Sequence, residues 1–191
     1  LHETQTEVQD SLTAHGERPL SWLADEGLLR PGFSAVHMNW LTDEDIDLAA
    51  RTGISVVHCP QSNQRLGSGI CPVSRLRAAG VNVALGTDGA ASVGALDLLA
   101  EARAACLLAS LSTHNPQALG APDSLRMATL GGAQALGLGH EIGSLTAGKA
   151  ADVICIDLSA PACQPVDDPA DAIVYSAGRS AVTDVWVAGR A

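Results

Sequence analysis

The sequence predicts an α/β protein built around a parallel β-sheet. Apolar runs alternate with helical segments at the spacing of βαβ units. These runs lack polar alternation, which is typical of strands covered by helices on both faces. Three consecutive runs also end on a polar side chain: His37, His58 and Asp88. Because active sites form at the carboxyl ends of parallel strands, this edge of the sheet is the expected functional site.

The elements before residue 59 follow from helix signals and apolar runs. The predicted helices span residues 4–15, 18–29 and 42–53. The first carries Val8 and Leu12 four apart, and the second has Pro19 in its first turn. Thr42 caps the third, whose acidic run 43–47 is expected to form a solvated face. Predicted strands follow the second and third helices, and each runs into a histidine.

The second half continues the alternation and then changes character. The predicted elements are a polar loop over residues 61–69, a helix over 72–79, a strand from Val81 to Asp88, a small-residue loop over 89–94, and helices over 95–111 and 124–136. Beyond Gly137, turn residues separate two short apolar runs, 151–158 and 182–187. We expect these to form a small antiparallel β appendage, and we divide the chain into a catalytic domain, 1–140, and a β-rich domain, 141–191.

Composition excludes several classes of function. The chain has 191 residues, 47% of them hydrophobic, which is ample for a core. No apolar run reaches the ~18 residues of a membrane span. The net charge of -10 argues against nucleic acid and anionic membranes as partners. Five cysteines without CxxC spacing favour reduced, mostly buried thiols in the cytoplasm over disulfides or structural zinc.

Four motifs, in this order, resemble the amidohydrolase superfamily. They are His2-Glu3-Thr4, Val36-His37, His58-Cys59-Pro60-Gln61-Ser62-Asn63 and Leu85-Gly86-Thr87-Asp88-Gly89-Ala90-Ala91-Ser92. The segment 143–152 is also similar to the superfamily's carboxyl-terminal strand motif. Within the superfamily, the sequence looks most like the deaminase and chlorohydrolase branch, and there like the 5′-methylthioadenosine/S-adenosylhomocysteine deaminases.

The resemblance implies a (β/α)₈ TIM-type barrel, which takes ~250 residues. Three clear strands and a fourth cut at Leu1 amount to about half of one. We therefore expect this chain to be the carboxyl-terminal half of a barrel plus the β appendage, with the amino-terminal half in the same polypeptide. The alternatives are that another chain supplies that half, or that the units close in some other way.

The resemblance also implies one catalytic divalent metal, usually zinc. Asp88 matches the ligand on the family's last strand. Glu3 matches the glutamate of a His-x-x-Glu pattern whose histidine would precede Leu1, so the remaining ligands are expected upstream. His2 is an alternative ligand that this alignment disfavours.

Chemical roles follow for the strand-end residues. Zinc lowers the pKa of its water to roughly 7, and Asp88 would act as the general base. Glu3 would carry a proton to the ring nitrogen, and His37 would hold the attacking hydroxide and stabilise charge in the transition state. Ser92 would support the loop or contact substrate, and His58 would line the pocket wall. The plainer readings are a turn aspartate, core histidines and a solvated helix-start glutamate.

Three functions remain open at this stage. The first is a metal-dependent deaminase of an adenosine-type substrate, most similar to the family named above. The second is a chlorohydrolase or guanine-type deaminase of the same branch. The third is a non-catalytic half-barrel used for binding or assembly. For the enzyme we expect a small-molecule substrate and a homo-oligomer.

Overall fold

The computed structural model describes residues 1–191. Its main sheet has three strands, which are parallel as the apolar runs predict, and their order is β1–β2–β3. The strands are β1 (Ser34–Val36), β2 (Ser55–His58) and β3 (Asn82–Leu85). Ser55 pairs with Ser34 on one side and with Asn82 on the other, so the three strands run in register toward the same edge.

Ten α-helices surround the strands. They are α1 (Gln5–His15), α2 (Pro19–Asp25), α3 (Asp43–Thr52), α4 (Pro60–Leu66), α5 (Val73–Ala78), α6 (Ala90–Val93), α7 (Leu98–Thr113), α8 (Ala121–Arg126), α9 (Gly132–Ala135) and α10 (Pro169–Asp171). Shorter pieces are π-helical at Met127–Gly131 and Ala172–Ser176 and 3₁₀-helical at Pro161–Cys163 and Arg179–Ala181.

Two segments predicted as loops contain helices. The predicted loop over 61–69 is wrong because α4 occupies most of it. Pro60 opens α4, and Gly67, at φ 66°, ends it by donating its N–H to the carbonyl of Asn63. The buried face of α4 is largely polar, so apolar periodicity did not reveal the helix. The loop predicted over 89–94 likewise contains α6.

Two helices start at residues other than those predicted. The long helix predicted from residue 95 starts at Leu98, because the Asp97 carboxylate accepts the N–H groups of Leu99 and Ala100. The helix predicted over 124–136 starts earlier, at Ala121, and contains the π-helical turn Met127–Gly131.

Gly131 allows this last helix to approach the sheet closely. A Cβ at this position would lie 2.7 Å from the carbonyl oxygen of Val83 in β3. Only a residue without a side chain fits such a contact with main chain. The glycine therefore sets how close the helix lies to strand β3.

The acidic run on α3 is not uniformly solvated, contrary to the prediction. Asp45 is only 2% exposed. Its Oδ2 accepts the N–H of Thr42, at 2.9 Å, and lies 2.7 Å from Nη2 of Arg18. A capping box and a cross-element ion pair thus bury one carboxylate, while Asp43, Glu44 and Asp47 stay exposed.

The core lies between the sheet and its helices. Its largest fully buried apolar side chains include Leu20, Met38, Ile54, Leu76 and Leu119. All five cysteines are free: Cys59, Cys71, Cys106 and Cys163 are buried and Cys155 is exposed. In residues 1–191, no helix has both the length and the apolar character needed to cross a membrane.

The last fifty residues form a second sheet and also join the main core. Strands β4 (Val153–Ile156) and β5 (Val182–Trp186) pair in antiparallel fashion. Between them, Val174 is fully buried in the main core, and Arg103 of α7 donates to the carbonyls of Val174 and Ala177. The division of the chain at residue 140 remains a prediction.

Candidate active site

Backbone hydrogen bonds between neighbouring strands continue past the strand ends, and polar residues lie at this edge of the sheet. The N–H of His37 donates to the carbonyl of Val57, and the N–H of Gly86 donates to that of His58, both at 3.0 Å. His37 and Asp88 then adopt φ angles of 73° and 62°. Positive φ is uncommon for residues with a side chain, so the surrounding structure must hold the backbone in this conformation where it leaves the sheet.

Glu3 meets His37 at this edge. It lies just before Thr4, the N-cap of α1, and the Glu7 carboxylate in the first turn of α1 accepts the N–H groups of His2 and Glu3. Oε1 of Glu3 accepts the hydroxyl of Ser68, at 2.9 Å. Its Oε2 lies 3.7 Å from Nε2 of His37, which is too long for a direct hydrogen bond.

Asp88 is exposed and held in its ionised form. Its Oδ2 accepts the hydroxyl of Ser62 at 2.7 Å, and its Oδ1 accepts the N–H of Gly89 at 2.6 Å. The bond from Ser62 is the largest cause that lowers the pKa of Asp88 below its ordinary value, followed by the bond from Gly89. The hydroxyl of Ser92 and the charge of His37 lower this pKa further.

Helix α4 joins the two sides of the site. Ser62 holds Asp88, and the next residue, Asn63, has Oδ1 2.9 Å from Nδ1 of His37. Asn63 also donates through Nδ2 to Oδ1 of Asn39, at 2.8 Å. Ser62 and Asn63 stand in the motif that carried the family resemblance, but the sequence reasoning assigned them no role.

His58 lies beneath the edge and is 1% exposed. Burial, with the nearby His37 charge as a second cause, lowers the pKa of His58 to about 3. The ring is therefore neutral, and its Nδ1 has no hydrogen-bond partner in the chain. A contact between His58 and substrate remains a prediction.

Glu101 is a buried acid that sequence reasoning missed. It is 0% exposed on α7, and its Oε2 accepts the N–H of Gln61, in the first turn of α4, at 3.0 Å. Its Oε1 is buried without a partner. The pKa of Glu101 is raised to about 7, chiefly by burial. The bond from the N–H of Gln61 lowers this pKa, and the charges of Asp97 and Asp88 contribute to raising it. Glu101 thus supports the helix that holds Asp88 and His37.

His2 does not serve the site as a ligand in this fold. It is fully buried, and its Nε2 accepts the N–H of Leu20 at 3.0 Å. Its Nδ1 must then carry the proton, and it faces the carbonyl of Trp40 at 3.1 Å. Both ring nitrogens are engaged, so the alternative of His2 as a metal ligand has no support in the structure.

The chain supplies at most part of a metal site. Within residues 1–191, no three His, Cys, Asp or Glu side chains come close enough together to hold an ion. The ionised, exposed carboxylate of Asp88 fits the role of one ligand, since oxygen donors of this kind bind zinc.

Comparison with known proteins assigns the family. All of residues 1–191 match the family model described as the amidohydrolase family. The chain belongs to that family. The resemblance deduced from the strand-end motifs is thereby confirmed.

Similar sequences carry deaminase names but are much longer. The chain is 49% identical, over 189 residues, to the 5-methylthioadenosine/S-adenosylhomocysteine deaminase of Teredinibacter turnerae, covering 99% of this chain and 43% of that protein. It is 42% identical, over 190 residues, to the 5′-deoxyadenosine deaminase of Methanothermobacter thermautotrophicus, of which it covers 44%. The chain spans less than half the length of these relatives.

Solved structures show the same arrangement of the backbone. An adenosine deaminase from Xanthomonas campestris with bound zinc superposes with a TM-score of 0.97 at 50% identity, over 99% of this chain and 43% of that one. An atrazine chlorohydrolase variant from Arthrobacter aurescens, complexed with zinc and atraton, superposes with a TM-score of 0.92 at 30% identity. The match covers 98% of this chain and 42% of that one. The α/β fold of this chain is therefore that of amidohydrolase-family proteins.

Proposed function

We propose that the protein is a metal-dependent hydrolytic deaminase of an adenosine-type substrate, of the kind represented by 5′-methylthioadenosine and S-adenosylhomocysteine. One observation carries the proposal: α4 holds Asp88 through Ser62 and His37 through Asn63, which brings a carboxylate base and an imidazole to one sheet edge. Glu3, 3.7 Å from the imidazole, adds a second acid. Relatives at 42–49% identity named as deaminases support the choice of reaction.

We place this site in a barrel larger than the chain. In this proposal β1, β2 and β3 are consecutive strands of a (β/α)₈ barrel, and β4 and β5 belong to a small β-rich domain over residues 141–191. The remaining strands would come from the residues that make the relatives more than twice as long. The free cysteines fit a cytoplasmic protein, and we propose a homo-oligomer by family resemblance.

Zinc is the proposed metal, and Asp88 would be its one ligand from this chain. When bound, such an ion lowers the pKa of its water to roughly 7, which makes a nucleophile available at neutral pH. The Asp88 carboxylate, which its bonds to Ser62 and Gly89 hold in the ionised form, would accept the proton of the attacking water.

Glu3 and His37 would handle the other proton and the developing charge. Ser68 fixes Oε1 of Glu3, which leaves Oε2 toward His37 and the site. From there Glu3 can carry a proton to a ring nitrogen of the substrate, a step that loss of ammonia requires. We place Ser92 beside substrate, next to Asp88, and His58 in the neutral wall below.

Chloride displacement is the second candidate. The TM-score of 0.92 with the atrazine chlorohydrolase variant favours it on backbone geometry. Glu3 favours deamination, because the relay of a proton to the ring that we assign to it fits the loss of ammonia.

The proposal is tested on the purified full-length protein. We expect ammonia release from methylthioadenosine, S-adenosylhomocysteine or adenosine, a bound divalent ion, and little chloride release from a chlorotriazine. Asp88→Asn should abolish turnover while circular dichroism stays unchanged. The matched control is Asp47→Asn, at an exposed position of α3, which should keep full turnover. Absence of ammonia release from all three nucleosides, or full turnover by Asp88→Asn, would refute the assignment.

A further inference from the structure

A directional chain of three hydrogen bonds runs from the backbone of Glu3 to the ring of His37. Nδ2 of Asn39 lies 3.0 Å from the carbonyl oxygen of Glu3. Oδ1 of Asn39 lies 2.8 Å from Nδ2 of Asn63, and Oδ1 of Asn63 lies 2.9 Å from Nδ1 of His37. Asn39 is 7% exposed and Asn63 is 1% exposed, so neither amide can exchange these partners for solvent.

The direction of this chain is set by its first acceptor. A main-chain carbonyl can only accept, so Asn39 must turn its NH₂ toward Glu3 and its oxygen toward Asn63. Asn63 must then donate to Asn39 and offer its own oxygen to His37. Rotating either amide by half a turn would set oxygen against oxygen at one end, so the hydrogen-bond network alone fixes the orientation of both amides.

We propose that Asn39 and Asn63 are positioning residues that fix neutral His37 in its Nδ1–H tautomer, with the Nε2 lone pair directed into the site. The inference rests on the proposed function for its catalytic meaning, although the tautomer itself does not. Asn39 never touches the ring and acts through Asn63.

This tautomer limits the hydrogen bonds that His37 can form with substrate or water. A neutral ring with its proton on Nδ1 can only accept at Nε2. It can therefore orient the attacking water by accepting one of its O–H groups, and it cannot donate to a developing oxyanion until it has taken up a proton. Oε2 of ionised Glu3, 3.7 Å from Nε2 of His37, is also an acceptor. Two acceptors that face each other in this way favour a hydrogen-bond donor, such as a water molecule, bound between them.

The decisive measurement is the ¹⁵N NMR spectrum of histidine-labelled full-length protein, at a pH where His37 is neutral. The His37 resonances are assigned by their loss in His37→Gln. We expect a protonated, pyrrole-like Nδ1 and a bare, pyridine-like Nε2. A wild-type spectrum with the proton on Nε2 would overturn the inference, whatever the activity of the protein.

Two variants of Asn39 form a matched pair. Asn39→Asp keeps an acceptor for the Nδ2 of Asn63 and should retain the Nδ1–H tautomer, although it loses the bond to the carbonyl of Glu3 and should be less stable than wild type. Asn39→Ala removes that acceptor, lets the Asn63 amide rotate, and should give a mixture of tautomers. A residue that served only for packing would leave the tautomer of a ring it does not touch unchanged, so an unaltered spectrum in Asn39→Ala would also overturn the inference.

Enzyme activity gives a test that is independent of the NMR spectrum. We expect kcat to fall about 10- to 100-fold in Asn39→Ala, the range for removing partners that orient a functional histidine, and to recover partly in Asn39→Asp. Gln64→Ala, at an exposed position of α4, is the control and should retain wild-type turnover. If wild-type protein deaminates no substrate while the tautomer is as expected, the proposed function fails and the tautomer assignment stands. Equal kcat in wild type and Asn39→Ala would refute the positioning role.

Discussion

Replacing Glu101 by glutamine removes a buried ionisable group while keeping its shape and an acceptor for the N–H of Gln61. Burial raises the pKa of Glu101 from 4.5 to about 7. At 1.36 kcal/mol for each pKa unit, this difference corresponds to about 3 kcal/mol in the free energy of unfolding. The effect is large compared with the total stability of an ordinary domain, which is about 5–15 kcal/mol.

The sign follows from where the proton is held. The folded-state pKa lies above the unfolded one, so between pH 4.5 and about 7 the folded state keeps a proton that the unfolded state has lost. Stability contributed by protonated Glu101 is complete below pH 4.5 and is lost as the pH rises to about 7. Glutamine does not titrate, so Glu101→Gln should remove this decline.

The assay is urea unfolding of the full-length protein and its variant, near pH 5 and near pH 8. Between these two pH values, the stability of Glu101→Gln relative to wild type should rise by about 2–3 kcal/mol. Glu26→Gln, at an exposed position, is the control and should show no such change. If the difference between Glu101→Gln and wild type is the same at both pH values, Glu101 ionises as readily in the folded protein as in the unfolded one, and the reasoning fails.

Two further predictions concern the frame around the site. Asp45→Ala should lower the free energy of unfolding by about 3 kcal/mol, because it breaks both a helix cap and a largely buried ion pair, while Asp47→Ala on the same helix should change it by less than about 0.5 kcal/mol. Gly131→Ala should cost about 1–3 kcal/mol, because its Cβ would meet a strand carbonyl at 2.7 Å. Gly132→Ala, with 3.9 Å of room, should be neutral or stabilising. Thermal and urea unfolding measure all four, and equal costs within either pair would contradict these contacts.

The strand-end residues were predictable because their signal is local. An apolar run followed by a polar residue marks where a buried strand stops: His37 directly follows β1, His58 is the last residue of β2, and Asp88 lies three residues beyond β3. Helix α4 was not predictable in this way. Its buried residues include Ser62 and Asn63, which are buried by hydrogen bonds to distant segments and leave no apolar period in the sequence.

Buried acids show the same limit. Asp45 reads as one charge in a solvated run, and Glu101 as one charge in an apolar helix, yet both are 2% exposed or less. Their burial depends on Arg18 and on the N–H of Gln61, which lie 27 and 40 residues away along the chain. A partner so far away along the chain cannot be predicted from the pattern of neighbouring residues.

The amino-acid sequence alone determined the parallel α/β sheet, the family and the residues at the strand ends, because periodicity and motif are properties of neighbours in the chain. The tertiary structure decided which atoms those residues offer. The tautomer proposed for His37 depends on the bond that its Nδ1 makes to Oδ1 of Asn63, and the lowered pKa of Asp88 depends on the hydroxyl that Ser62 donates, each partner 26 residues away in sequence. Such bonds exist only once the chain has folded, since folding is what brings their donors and acceptors within 3 Å of each other.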